Sequence, residues 1–359
     1  MFTGNKGEWS EIYTLLKIIS DKQLYAGDKN LEKIENLFYP IIKILRNESN
    51  GTYDYSYSSD LVIIKGSEVE FQIPIVRFQE KAAFLLSKPK EKTNRTFCIP
   101  EIANFIKSFN CTSLTASSTI KSDIRIVIHD SRTGSTPELG FSIKSQLGGA
   151  STLLNAGKTT NFVFKIHNTS LSETQIQAIN SINTNRKIRD RIEKIKEYSG
   201  ELEFVKTEKS IFGNNLTLID SALTEIISEI LVLYYTSSLS KTKDLLNVIT
   251  LKNPLGFNNE TEHPFYEYKI KRFLTDVALG MMPSEVWTGE IDATGGSLIV
   301  RSDGEVICYH IYNRNEFEDY LINNTRLETA SSSRHNFGTV YEENGIQYIK
   351  LNLQIRFIK

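Results

Sequence analysis

Asp123 and, after an eighteen-residue interval, Ser142-Ile143-Lys144 with Gln146 put an acid, a hydroxyl, a lysine and an amide on two alternating stretches. The first, Asp123 to Asp130, reads Asp-Ile-Arg-Ile-Val-Ile-His-Asp; the second, Leu139 to Leu147, reads Leu-Gly-Phe-Ser-Ile-Lys-Ser-Gln-Leu. Period two places Asp123, Arg125 and Val127 on one face of the first strand, and Ser142, Lys144 and Gln146 on the polar face of the second. The Ser131 to Pro137 segment between them is turn chemistry. The pair therefore reads as an antiparallel hairpin, and a turn centred near residues 134 and 135 sets Asp123 opposite Lys144 to Gln146. Such a meeting suits phosphodiester hydrolysis, where the phosphate is anionic, water is a weak nucleophile and the leaving oxygen develops charge. A carboxylate that fixes Mg²⁺ and a lysine that orients or deprotonates the water answer these demands. The usual sequence form is an acid on one strand and acid-x-lysine on the next; here Ser142 stands where the second acid belongs. Glu8 and Glu11, at i and i+3 on nearly one helix face, are candidates for the missing metal oxygen. Gln146 is another through its amide oxygen, and Glu138 a weaker one. On spacing alone, the same residues also fit a sheet edge with a surface lysine and a capping aspartate.

A second set could read bases. Arg326-Leu-Glu328 and Ser331-Ser-Ser-Arg-His-Asn336 form a small-polar loop with forked donors, and bidentate Arg to guanine is the commonest specific base contact. Arg326, Ser333, Arg334, His335 and Asn336 are its candidates, joined by Lys6 and Arg125; the plain alternative is a surface loop whose Arg326 pairs with Glu328. The chain's net charge is −1, yet Lys81 to Lys144 carries ten Lys or Arg against five Asp or Glu. Such a run is either a local field for an anion or an ordinary solvated face. Ala156-Gly-Lys-Thr159 lacks the opening glycine of a phosphate loop and runs into a strand pattern instead of a helix. The five histidines show no metal-ligand spacing.

These residues need elements to hold them. Glu8 to Ile19 is amphipathic with helical period, and Asn30 to Leu45 reads as a helix that Pro40 ends or kinks. Tyr53, Tyr55 and Tyr57 share a strand face, which suits packing against a helix better than base stacking. Leu61 to Ile64 and Val69 to Val76 form a hairpin, and Pro100 precedes a short helix at Glu101 to Phe109. After a strand at Asn161 to Ile166 the pattern turns helical at Ser172 to Tyr198, Leu216 to Leu239 and Glu262 to Met281. Strands return at Leu298 to Arg301, Val306 to Tyr312 and Gln347 to Ile358, with Asp303-Gly304 and Asn344-Gly345 as tight turns. At 359 residues, 40% hydrophobic and 24% charged, the chain is an ordinary globular one. Three scattered cysteines without a CxxC pair fit a reducing cytosol. Ile226 to Tyr235, broken by Ser228 and Glu229, is too short to span a bilayer, and the first residues lack a secretory pattern, so a cytoplasmic location without membrane contact is expected.

Three stretches carry a family likeness. Gly4-Asn-Lys-Gly-Glu-Trp-Ser-Glu11, Ser122 to Asp130 with Leu139 to Gly148, and Ser151-Thr-Leu-Leu-Asn-Ala156 resemble the HpaII-type restriction endonucleases, as does the late segment Tyr309 to Phe337. The resemblance implies an α/β (α+β) fold of the PD-(D/E)XK nuclease class with a mixed central sheet. It also implies Mg²⁺-dependent cleavage of double-stranded DNA at a short palindrome, 5′-CCGG for the type member. It places the metal aspartate at Asp123 and the lysine at Lys144, and leaves the second acid to Glu11 or Glu8. The expected organisation is a catalytic core over residues 1–170, a helical region over 171–285, and a β-rich region over 286–359 that completes the DNA cleft. A homodimer matched to the palindrome is expected, with a companion DNA methyltransferase protecting host sites without contact. The alternatives are a DNA-binding protein that lost catalysis, prompted by Ser142, and a structure-specific repair nuclease.

Overall fold

The computed structural model describes residues 2–91, 94–115, 122–131 and 133–358. The first helix, α1 (Lys6–Asp21), begins at a capping box: Asn5 Oδ1 accepts from the Gly7 and Glu8 N–H groups, and the Glu8 carboxylate accepts from Asn5 N–H at 2.6 Å. Trp9, Ile12, Leu15, Leu16 and Ile19 are fully buried along one stripe, as their spacing predicts.

The chain continues as β1 (Gln23–Gly27) and β2 (Lys33–Glu48). The helix expected at Asn30 to Leu45 is therefore wrong. Pro40 pairs with Gln23 where β2 passes from β1 to its next partner, with an irregularity just beyond at Ile41 to Lys43, a position where a strand tolerates a missing N–H. The Pro40 carbonyl is still used, accepting from His129 N–H at 2.8 Å. A meander follows: β3 (Gly51–Ser58), β4 (Leu61–Lys65) and β5 (Glu70–Pro74). Then come α2 (Ile75–Glu91), whose Phe78, Ala82 and Leu85 are buried at helical spacing, and α3 (Pro100–Lys107). Tyr55 meets Phe109, just past α3, edge to face with ring centroids 6.1 Å apart, so the alternating tyrosines do pack inward.

The hairpin is present as β6 (Ile124–Ile128) and β7 (Glu138–Ser145), but its register differs from expectation. Ile124 pairs with Phe141 and Val127 with Glu138, which sets Asp123 across from Ser142. The cause is the turn: Gly134 N–H reaches Asp130 O and Asp130 N–H reaches Ser135 O, closing it earlier than residues 134 and 135.

Next come β8 (Thr152–Leu154), β9 (Asn161–His167), α4 (Glu173–Ser181), α5 (Lys187–Glu197) and β10 (Glu201–Thr207). Four helices follow: α6 (Ser210–Ile219), α7 (Leu223–Thr236), α8 (Thr242–Lys252) and α9 (Phe265–Leu279). The chain ends with β11 (Gly296–Val300), β12 (Val306–His310), α10 (Arg314–Asn323), β13 (Thr325–Leu327), α11 (Ser332–His335), β14 (Val340–Glu343), β15 (Ile346–Asn352) and β16 (Ile355–Phe357). Two of the three helical patterns of the middle region are thus divided: residues 182–186 separate α4 from α5, and Asp220, whose carboxylate accepts from Ala222 N–H, separates α6 from α7.

The main sheet is mixed and nine-stranded, in the order β1-β12-β11-β7-β6-β2-β3-β4-β5, with β1 also pairing with β2. Six of its strands therefore close a ring. β11 runs parallel to β7 and joins it by pairing Ser297 with Ser142 and Ile299 with Lys144, so late residues buttress the candidate strand. Two smaller sheets, β10-β9-β15-β14 and β13-β16-β8, lie with helices α4 to α10 around a second apolar core; α1, α2 and α3 share the first core with the main sheet. The architecture is mixed α and β around a central mixed sheet, as expected. No helix among the described residues is long and apolar enough to cross a membrane.

Candidate active site

Asp123 stands at the mouth of β6, where its N–H donates to Phe141 O and its Oδ2 accepts from Ile143 N–H at 2.6 Å. This clip fixes the carboxylate against β7 and leaves Oδ1 for another partner. On β7, period two turns Ser142 and Lys144 into a cleft of about 460 Å³, walled by Leu153 to Gly157 and by Val277 to Ser284. Ile143 and Ser145 line a neighbouring cleft of about 400 Å³, where α1 contributes Lys6 and Glu11.

Glu11 is the most perturbed acid of the site. Burial, then the negative charge of Asp123, push its carboxyl from 4.5 up to about 8, against the opposing pull of Arg46 and Lys144. Asp123 and Lys144, from two other elements, thus both act on Glu11. The turn carrying Glu8 and Glu11 is half-buried, because α1 packs along the main sheet. Glu8 is engaged by the Asn5 N–H in the capping box, so Glu11 is the better-placed of the two.

Other candidates lie elsewhere. Gln146 Oε1 accepts from Ser302 N–H at 3.3 Å, turned towards the β11–β12 connection. Arg125 donates to Glu138 at 2.8 Å and to Asn47 Oδ1 at 3.0 Å. Arg326 pairs with Glu328 at 2.7 Å, the plain alternative foreseen for it. Ser333, Arg334 and Asn336 are exposed on or beside α11, and the Arg334 guanidinium has no partner among the described residues. His335 sits there too, its carbonyl accepting from Asn161 Nδ2 at 2.8 Å. The basic stretch is partly neutralised, since Lys81 pairs with Glu101 at 2.7 Å. The side chains of Lys90, Lys92, Lys121 and Arg132 in that stretch lie outside the described residues.

Sequence reasoning missed Arg46 and Glu48. Their side chains are almost wholly buried, with Arg46 Nε 2.6 Å from Glu48 Oε1, and the remaining Glu48 oxygen takes the N–H and hydroxyl of Thr112. The Arg46 charge of this pair acts on Glu11, favouring its ionised form. Arg-x-Glu at strand spacing was the available signal, lying just beyond the Asn30 to Leu45 segment read as a helix. Asn94 and Arg95, which line the Glu11 cleft, carried no signal of their own.

Among the described residues, no three His, Cys, Asp or Glu side chains are gathered closely enough to hold a metal by themselves. Asp123 and Glu11 are two hard oxygen donors whose mutual repulsion a cation between them would relieve. That suits Mg²⁺, which is commonly bound by one or two carboxylates and completed by water and substrate phosphate.

Comparison with known proteins identifies the family. The family model described as HpaII restriction endonuclease matches residues 5–357. The type II restriction enzyme HpaII of Haemophilus parainfluenzae is 53% identical over 362 residues, covering 99% of each chain. No solved structure matches the chain. With the family model running almost end to end and half the residues shared with that relative, the chain belongs to the HpaII restriction endonuclease family.

Proposed function

We propose that this protein is a type II restriction endonuclease that hydrolyses phosphodiester bonds of duplex DNA at a short palindromic site, with 5′-CCGG as the expected target. The observation that carries the reading is Asp123 clipped to β7 by the Ile143 N–H, with Lys144 on that strand and both charges acting on Glu11 of α1, and full-length kinship with a type II restriction enzyme supports it. The hairpin, the flanking helix α1 and the buttressing β11 fit a PD-(D/E)XK core.

Asp123 Oδ1 and the Glu11 carboxylate would hold the metal, with Glu11 standing in for the acid that Ser142 replaces. When bound, Mg²⁺ supplies Lewis-acid polarisation of the phosphate and a water of lowered pKa. The Lys144 ammonium is the group available to orient the attacking water and offset charge on the phosphate. The Ile143 N–H engages Asp123 Oδ2, which leaves Oδ1 for the metal. Ser142, buried opposite Ser297, offers a hydrogen bond and no charge.

A homodimer suits a palindromic target, since two-fold symmetry lets each subunit cut one strand. A cytoplasmic location and a companion methyltransferase belong to the same reading. The rival is a binder without cleavage, which Ser142 favours and the position of Glu11 disfavours.

The test compares the wild type with Asp123→Asn, Glu11→Gln and Lys144→Ala on a duplex containing 5′-CCGG. The wild type should cut with Mg²⁺ and each variant should bind yet lose cleavage by orders of magnitude. A variant that cuts at the wild-type rate would remove its residue from the site, and a wild type that binds without cutting would favour the rival.

A further inference from the structure

A groove of about 530 Å³, larger than either cleft beside β7 and sharing no lining residue with them, opens between three separated segments. One wall is Thr184 to Arg189, at the start of α5; another is Thr329 to Ser333, leading into α11; Ser238 to Ser240, after α7, lies between. Arg186, Lys187 and Arg189 bring three positive charges to it, and no acid lines it. None of the three cations has an ion-pair partner among the described residues, whereas Arg326 and Arg356 both meet Glu328. The rest of the lining is mainly hydroxyl and amide, suited to donating hydrogen bonds to oxygen.

The walls are locked. Buried Arg191 donates to Gly338 O at 2.6 Å, Asn180 O at 2.7 Å and Ile182 O at 2.8 Å. Gly338 has φ +78°, and a Cβ there would lie 1.9 Å from Ile188 Cδ1, so the segment after α11 presses directly on α5. The same segment is tied to the cleft of Lys144. Asn161 Nδ2 donates to His335 O at 2.8 Å, and Asn352 Nδ2 bridges Asn161 Oδ1 at 2.7 Å and Gly157 O at 2.8 Å, where Gly157 lines that cleft. Groove and cleft are parts of one hydrogen-bonded frame.

We infer that this groove seats the sugar–phosphate backbone of one DNA strand, with Arg186, Lys187 and Arg189 as phosphate-positioning residues that set how the Ser331 to Asn336 segment meets the base edges. The inference rests on the endonuclease reading. Phosphate contacts fix register without carrying sequence information, so an acid-free cationic groove beside an exposed, unpaired arginine joins the two kinds of contact that recognition needs. Its size admits one strand's backbone and not a duplex.

The experiment measures binding of wild type and of R186Q, K187Q and R189Q, singly and combined, to a 5′-CCGG duplex and a scrambled duplex across a salt series in EDTA. Each lost phosphate contact should reduce the slope of log affinity against log salt by about 0.9, equally on both duplexes. R186K and R189K, which keep the charge, should keep the slope. An unchanged slope in the triple variant, or a loss confined to the 5′-CCGG duplex, would overturn the inference while the wild type still cuts. A wild type that neither binds nor cuts either duplex would overturn the endonuclease reading itself.

Discussion

Replacing Glu11 by Gln should make the metal-free protein more stable at alkaline pH while removing cleavage. The folded protein holds the Glu11 proton until about pH 8, whereas the unfolded chain releases it near 4.5. Between those values the folded state binds more protons, so this group's contribution to stability is greatest below 4.5 and is lost as pH rises through about 8. At about 1.4 kcal/mol per pKa unit, a shift of this size would amount to about 5 kcal/mol for a dry group. Solvent reaching a half-buried carboxyl reduces that to about 2 kcal/mol. Glutamine does not titrate, so E11Q should exceed the wild type by about this amount at about pH 9 and match it near pH 4. That corresponds to a Tm difference of roughly 3 °C. Thermal unfolding of both proteins in EDTA, from acid to alkaline pH, reads the difference, in which other titrating groups cancel. Adding Mg²⁺ at alkaline pH should stabilise the wild type far more than E11Q. Parallel pH profiles, or an E11Q that is less stable at alkaline pH, would refute the placement of Glu11 as a desolvated carboxyl beside Asp123.

The buried pair Arg46–Glu48 gives a second expectation: Arg46→Met leaves Glu48 buried without its cation and should cost about 3–5 kcal/mol in denaturant unfolding, while Arg46→Met with Glu48→Gln recovers part of it. Ser142→Asp adds an acid across from Asp123; if Glu11 supplies the second oxygen, this substitution should restore measurable cleavage to E11Q, read as single-turnover rate. Arg334→Ala should cost about 1–3 kcal/mol of binding at one base position and relax specificity there, checked against single-base variants of the site; a uniform loss on all sequences would make Arg334 a phosphate contact instead.

The parts of the fold that bury one clean face were legible in the sequence. Helix α1 and the β6–β7 hairpin show unbroken periods of three to four and of two, so their existence followed from Trp9, Ile12 and Leu16, and from Ile124, Ile126 and Ile128. Register was not legible, because it depends on which backbone groups close the turn, and Asp130, Gly134 and Ser135 close it early. Strand β2 was misread since its isoleucines around Pro40 satisfy either period; what decides is that three different strands pair along it. Glu11 could be proposed from its spacing to Glu8. The reason to prefer it is tertiary: the Asn5 cap engages Glu8, and Asp123 reaches Glu11 only through packing of α1 on the sheet. Arg186 to Arg189 drew no notice for a similar cause, since their groove forms from segments far apart in sequence.

The most direct test of the central claim is to digest a large unmethylated DNA with the purified protein, in Mg²⁺ and in EDTA, and sequence every end produced. The account predicts discrete fragments with Mg²⁺, none with EDTA, and all ends within one short palindrome, 5′-CCGG. Ends scattered over unrelated sequences, cleavage that persists in EDTA, or intact DNA under saturating protein and Mg²⁺ would contradict it.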